Sequence, residues 1–186
     1  MGKSTVARMF ADRGVPVFDA DATVHELQGA GGRLVAQIEA LFPGTTGPDG
    51  VDRTALGAAV LGDTAKLRQL EALVHPAVGE ERARFLAEHR AAPLVVFDIP
   101  LLFETGGEAR VDRVAVVSAP ADIQRARVLA RPGMTVQRFE SILARQAPDA
   151  DKRARADFVI ATDRSLEETR TAVDAVIACL IGSEGR

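Results

Sequence analysis

Four short apolar blocks punctuate the chain: Val15–Phe18, Leu94–Asp98, Val114–Val117 and Phe158–Ile160. They run continuously apolar instead of alternating with polar residues, which predicts strands covered on both faces. Helical periodicity fills the intervals. It predicts helices over Ser4–Arg13, Gly32–Leu41, Arg53–Val60, Thr64–Leu73, Val78–His89, Ala121–Leu129 and Thr135–Arg145. A last helix opens on Ser165-Leu-Glu-Glu168, a capping box in which Ser165 and Glu168 each satisfy an otherwise unpaired backbone N–H. Its apolar face carries Leu166, Val173, Val176, Ile177 and Leu180. Gly44–Gly50, rich in glycine and bracketed by prolines, reads as a loop. Strands alternating with helices predict an α/β fold with an open parallel sheet and right-handed crossovers.

Composition narrows the function. A chain of 186 residues with 47% apolar and 26% charged residues suits one globular domain spanning 1–186. A net charge of −3 argues against a nucleic-acid partner, which calls for a basic excess. No run approaches the length of a membrane span, so no membrane partner is expected. Cys179, the only cysteine, sits in Ala-Val-Ile-Ala-Cys-Leu-Ile and reads as a small buried hydrophobe. With no disulfide possible, the reducing cytoplasm is the default compartment. Nothing in the sequence sets an oligomeric state; a monomer is the expectation. His25 and His89 lack metal-ligand spacing with any partner, which rules against zinc.

Chemistry concentrates in a few segments. Gly2-Lys3-Ser4-Thr5 is the second half of a phosphate-binding P-loop, in which the lysine reaches the β- and γ-phosphates and the next hydroxyl binds Mg²⁺. Such a fragment occurs by chance in about one chain in ten of this length, so it is weak alone. Asp19 and Asp21 follow the first strand, where parallel sheets place their ligands. A carboxylate there either orients an attacking hydroxyl, holds a metal, or caps the next helix. Asp98 ends the second apolar block as a Walker-B-like carboxylate or a turn former, and Glu104 follows it. Arginines crowd positions 125–155; most read as a solvated face, and Arg131, beside Pro132-Gly133 at a helix break, is the best candidate for a lid cation. His75-Pro76 sits between two predicted helices.

The order of these segments is more specific than any of them. Gly-Lys-Ser-Thr, Asp19-Ala-Asp21 with His25, Leu-x-x-x-x-His-Pro-x-Val around His75, and Asp98-Ile-Pro-Leu-Leu-Phe-Glu104 follow in turn. Val117-Ser-Ala-Pro with Gln124 and Arg127, Arg131 before Gly-Met, Gln146, and Lys152 leading to Ala156-Asp-Phe-Val-Ile160 complete the series. The chain resembles the dephospho-CoA kinases from Met1 to about Val176. The resemblance implies an adenylate-kinase-like P-loop kinase fold, with a helical acceptor-binding region near 23–90 and a lid near 125–156. It implies ATP and Mg²⁺ as co-substrates and dephospho-CoA as acceptor, phosphorylated on its ribose 3′-hydroxyl. Gly2, Lys3, Ser4 and Thr5 match the nucleotide loop. Asp21 matches the residue that activates the hydroxyl, Asp19 and Ser4 lie near the metal, and Arg131 matches a lid arginine. His75 and the segment from Asp98 match the acceptor side.

Two departures accompany the resemblance. The family carries a strand and the first half of the P-loop ahead of Gly2, so a start site misplaced at Met1 is expected, and with it a poorly soluble or inactive chain. Thr162 stands where the family usually has asparagine, near the adenine site. The alternatives are another small nucleoside or nucleotide kinase, or an inactive fold that binds CoA-like ligands. A switch GTPase is disfavoured because no Asn-Lys-x-Asp motif occurs.

Overall fold

The computed structural model describes residues 2–183; the expectation about a start at Met1 lies outside them. The elements run α1 (Lys3–Ala11), β1 (Val17–Asp19), α2 (Ala20–Gln28), α3 (Val35–Leu41), β2 (Thr46–Gly47), β3 (Gly50–Val51), α4 (Arg53–Val60) and α5 (Thr64–Glu88). Then come β4 (Val96–Asp98), a 3-10 turn at Gly107–Arg110, β5 (Ala115–Ser118), α6 (Ala121–Leu129), α7 (Val136–Leu143), α8 (Asp149–Ala154), β6 (Phe158–Ala161) and α9 (Leu166–Ser183). The chain divides into two compact units, one made of the residues up to Val17 and from Ala92 onward, the other of Phe18–Ala91.

The first unit is α/β. β5 and β6 pair in parallel, Ala115 opposite Phe158 through Ser118 opposite Ala161. Where the chain leaves this unit, the Val96 N–H donates to the Pro16 carbonyl at 2.9 Å. The ladders among the described residues are thus separate pairs and not one continuous sheet. α1 buries Val6, Met9 and Phe10, spaced three and one apart, on the single face a helix presents at that spacing. They meet Ile160, Val173 and Val176, with Leu94, Val96 and Val117 around them. Each such side chain contributes roughly 1.5–3 kcal/mol by leaving water. The predicted capping box is present: Ser165 N–H donates to Glu168 Oε2 at 2.9 Å, and Glu168 N–H donates to Ser165 Oγ at 3.1 Å. Arg13 and Asp174 close the α1–α9 contact with an exposed ion pair at 2.8 Å.

Cys179 corrects the sequence reading, because it is exposed. The buried stripe of α9 follows Val173, Val176, Ile177 and Leu180, and at about 100° per residue Cys179 falls off its flank.

The second unit is helical, with Leu34 and Ile38 almost fully enclosed by Leu27, Phe42, Leu56 and Ala77. The expected Gly44–Gly50 loop contains a small hairpin, with Thr46 opposite Val51 and Gly47 opposite Gly50 around a Pro48-Asp49 turn. Gly50 has a φ of +99°, and a Cβ there would lie 2.3 Å from the Gln28 carbonyl oxygen, so only glycine fits. The largest correction is α5. The helices predicted at Thr64–Leu73 and Val78–His89 are one helix of 25 residues with Pro76 inside it. Proline ordinarily breaks a helix by removing an N–H and crowding the preceding turn. Here Leu70, Leu73, Val74, Ala77 and Val78 pack on one core across the proline, and that burial overrides the local break. The apolar pattern does not give the bounds of α2, which follows β1 directly from its cap Asp19, or of α8, which starts after Pro148. Among the described residues no helix is long and apolar enough to cross a membrane.

Candidate active site

Gly2 caps α1 in the left-handed conformation, with a φ of +86°, and its carbonyl accepts the Val6 N–H at 3.0 Å. A Cβ at Gly2 would lie 3.4 Å from Thr162 Cγ2, so the loop fragment rests directly on the residue that departs from the family pattern. Lys3 opens the helix, and its ammonium forms an ion pair with the carboxylate of Asp98 at the end of β4. Asp98 is buried, its side chain 3% exposed against 38% for Lys3. The burial keeps the carboxylate where the lysine must meet it, while the cation retains access to solvent. Ser4 and Thr5 are exposed in the first turn of α1.

Asp19, Asp21 and His75 belong to the second unit. Asp19 ends β1 and caps α2, its Oδ1 accepting the Ala22 N–H at 2.9 Å. The capping alternative therefore holds for Asp19. It does not hold for Asp21, which is exposed in the first turn of α2. His75 is exposed within α5, directly before Pro76, and not in a gap between helices.

Arg131 lies in the turn between α6 and α7, exposed, where the Met134 N–H donates to its carbonyl at 3.2 Å and Gly133 takes a φ of +72°. Its guanidinium has no hydrogen-bond or ion-pair partner among the described residues.

Two further constellations escape a reading by motif. Arg127 donates to the Thr162 carbonyl at 2.8 Å, and Thr162 Oγ1 bonds to the Ser118 carbonyl at 3.2 Å. Ser118 Oγ in turn donates to Asp149 Oδ2 at 2.8 Å. The second is Glu104, whose Oε1 receives the Lys152 ammonium at 2.9 Å and the Ala147 N–H at 2.8 Å. Burial pushes the Glu104 carboxyl up, but the bonds from Lys152 and the Ala147 N–H outweigh it and hold its pKa below the ordinary glutamate value. Lys152, Ala147, Asp149, Gln124 and Gln146 line a cavity of 290 Å³. Glu104 and Lys152 lie 48 residues apart, and no local spacing rule links them.

No cluster of three or more His, Cys, Asp or Glu suited to a metal occurs among the described residues. A nucleotide-bound Mg²⁺ needs only one or two protein oxygens, the rest coming from phosphate and water. In the first unit the exposed Ser4 hydroxyl is an oxygen of that kind; in the second, the Asp19 carboxylate spends only one of its oxygens on its helix cap.

The family model described as CoaE, dephospho-CoA kinase, matches residues 1–168. A dephospho-CoA kinase of Novosphingobium aromaticivorans is 61% identical over 180 residues, which is 97% of this chain and 90% of that protein. One from Mesorhizobium japonicum is 54% identical over 187 residues, covering 100% of this chain and 94% of the relative. Among solved structures, TT1252 from Thermus thermophilus superposes with a TM-score of 0.81 at 38% identity, covering 96% of this chain and 92% of its own.

Proposed function

The chain belongs to the dephospho-CoA kinase family, a family of phosphotransferases, and from that premise we propose how its own residues carry the reaction. The acceptor is the ribose 3′-hydroxyl of dephospho-CoA and the donor is ATP. The new bond joins the 3′-oxygen to the γ-phosphorus, the bond from that phosphorus to the β,γ-bridging oxygen breaks, and ADP leaves.

The observation that carries this reading is the Lys3–Asp98 pair at the first turn of α1. A lysine at a helix start, beside exposed N–H groups and hydroxyls, is the arrangement that meets β- and γ-phosphate oxygens. Asp98 fixes that lysine, so the cation is placed before any nucleotide arrives. In this reading Asp98, at the end of β4, serves beside the nucleotide loop in the Walker-B-like role, and the acceptor side is left to the residues that follow it. Gly2 shapes the turn that exposes the N–H groups of Lys3, Ser4 and Thr5.

Asp21 orients the 3′-hydroxyl and takes its proton. As an exposed carboxylate with no capping duty, it is free to do so. Arg131 neutralises charge that grows on the transferring phosphoryl group, a role that suits an unpaired guanidinium on a turn between two helices. His75 serves the acceptor. Ser4 and Asp19 would hold Mg²⁺, which would supply charge neutralisation on the phosphates. Phosphoryl transfer depends on positioning and electrostatics more than covalent chemistry, and these residues supply both.

The test is a coupled ADP-release assay with separate acceptors. ATP should be consumed with dephospho-CoA and ignored with AMP, UMP or thymidine. Comparable turnover on any of those three would overturn the proposal.

A further inference from the structure

We propose that Glu104 and Lys152 are a positioning pair, which holds the segment from Asp98 to Glu104 in the shape that phosphoryl transfer requires. The inference rests on the functional reading above, in which Asp98 holds Lys3 and the residues after it serve the acceptor.

Residues 99–106 contain no helix or strand; they run as successive turns after Ile99-Pro100. Backbone of this kind has little stiffness of its own, so its shape depends on where it is tied. One end is tied by Asp98 to Lys3. The other end is tied to α8 and the residues just before it. Glu104 binds the Lys152 ammonium and the Ala147 N–H, the Phe103 ring lies 4.5 Å from the Arg155 guanidinium, and Arg155 also pairs with Glu108. α8 and the residues flanking it thus hold the segment at Phe103 and Glu104, and the 3-10 turn after it at Glu108; the Glu104 tie is the enclosed one. The side chains of Glu104 and Lys152 are only 15% and 10% exposed.

A pair this enclosed is a poor device for stability. Removing both charges from water costs about what their attraction returns, and apolar residues of the same volume often do as well. What the pair provides is geometry: one oxygen of Glu104 receives donors from two points, the Lys152 ammonium and the Ala147 N–H. Its second oxygen is buried without a protein partner. Lys152 and Ala147 also form part of the wall of the 290 Å³ cavity, so the tie shapes that wall as well as the segment. Neither residue needs to touch a substrate for this; both act through what they hold.

The test uses the full chain and four variants: Glu104→Gln, Lys152→Met, Lys152→Arg and the apolar double variant Glu104→Leu/Lys152→Met. Thermal melts, kcat, the KM for each substrate and amide hydrogen exchange are measured on the same samples. The double variant should melt close to wild type yet lose on the order of 10- to 100-fold in kcat, the scale set by misplacing a reacting group by about 1 Å. Its KM for ATP should change little. Lys152→Arg, which keeps the charge, should restore most of the turnover lost in Lys152→Met. The Ala147 amide and the amides of 99–106 should exchange faster in the double variant than in wild type.

A double variant with wild-type kcat and wild-type exchange overturns the proposal. So does a double variant that cannot fold, because the pair would then be a folding determinant and not a positioning one. If the wild-type chain itself fails to turn over dephospho-CoA, the functional reading falls. The pair is then judged on exchange alone: faster exchange across 99–106 upholds its ordering role, and unchanged exchange removes it.

Discussion

Lys3 reaches across 95 residues of sequence to pair with the buried carboxylate of Asp98, so the cation of the nucleotide loop is anchored by the end of a strand. The partners are unequal. The Asp98 side chain is only 3% exposed, whereas Lys3 is 38% exposed and can exchange this carboxylate for another anion. The pair stabilises the fold through Asp98 and serves chemistry through Lys3.

Lys3→Met should therefore show two effects. It leaves Asp98 buried without its counter-ion, costing about 1–3 kcal/mol once the exposure of Lys3 is discounted. It should also lower kcat at least about 100-fold by removing a preorganised positive charge from the phosphates. Adding Asp98→Asn should return most of the stability and none of the activity. Urea melts and steady-state rates on the single and double variants check both halves.

Asp19 and Asp21 should separate cleanly. Asp19 accepts the Ala22 N–H, so Asp19→Ala should cost about 1 kcal/mol as a lost helix cap. Asp21 caps nothing, and Asp21→Asn should leave the melting temperature unchanged while kcat falls roughly 100-fold or more. A thermal melt that moves for Asp21→Asn, with turnover intact, would return it to a structural role.

How far the sequence could be read depends on the range of the interaction. Ser165 and Glu168 bond to each other three residues apart, and their motif states as much. Arg53–Val60 and Ala121–Leu129 end where their local signals place them. Glu104 and Lys152 are different, because only the folded chain brings them together and each alone is a plain charged residue. Cys179 stands among apolar residues of which Val176, Ile177 and Leu180 pack on the core, while Ala175, Ala178, Ile181 and the thiol do not, a division that the run of apolar letters does not show. For Asp19 and Asp21, the spacing identified the acidic pair but not which member caps α2; that needed the backbone.

Acid should weaken the first unit through Glu168. Its bonds with Ser165, first the hydroxyl and then the backbone N–H, hold its carboxyl below the ordinary glutamate value. A folded-state pKa below the unfolded one gives stability that is fully present above the unfolded value. That stability is lost as pH falls through the lower folded value. Glu168→Gln should accordingly flatten the slope of melting temperature against pH in the acid range. Melts from neutrality downward on wild type and variant will show the two curves converging if this is right, and running parallel if the capping box contributes no linkage.

Pro76 offers the sharpest conflict between local chemistry and observed structure. It lies inside α5, which runs unbroken from Thr64 to Glu88. Lacking an N–H, it cannot bond to the carbonyl of Ala72, and its ring crowds the preceding turn, a combination that costs up to about 3 kcal/mol in a helix interior. Apolar residues on both sides of it, from Leu70 to Val78, pack on the same core and hold the helix together regardless. Pro76 itself is exposed, so its ring adds little to that packing. Pro76→Ala should therefore raise stability by about 1–3 kcal/mol, read from a urea melt. Relaxing the helix also moves His75, the residue just before it, which is proposed to serve the acceptor. The KM for dephospho-CoA should then rise several-fold while the KM for ATP stays put, since the nucleotide loop belongs to the other unit. A more stable protein with both KM values unchanged would show that the proline does not set the position of His75. A less stable one would mean that the proline stabilises by restricting the unfolded chain more than it costs inside α5.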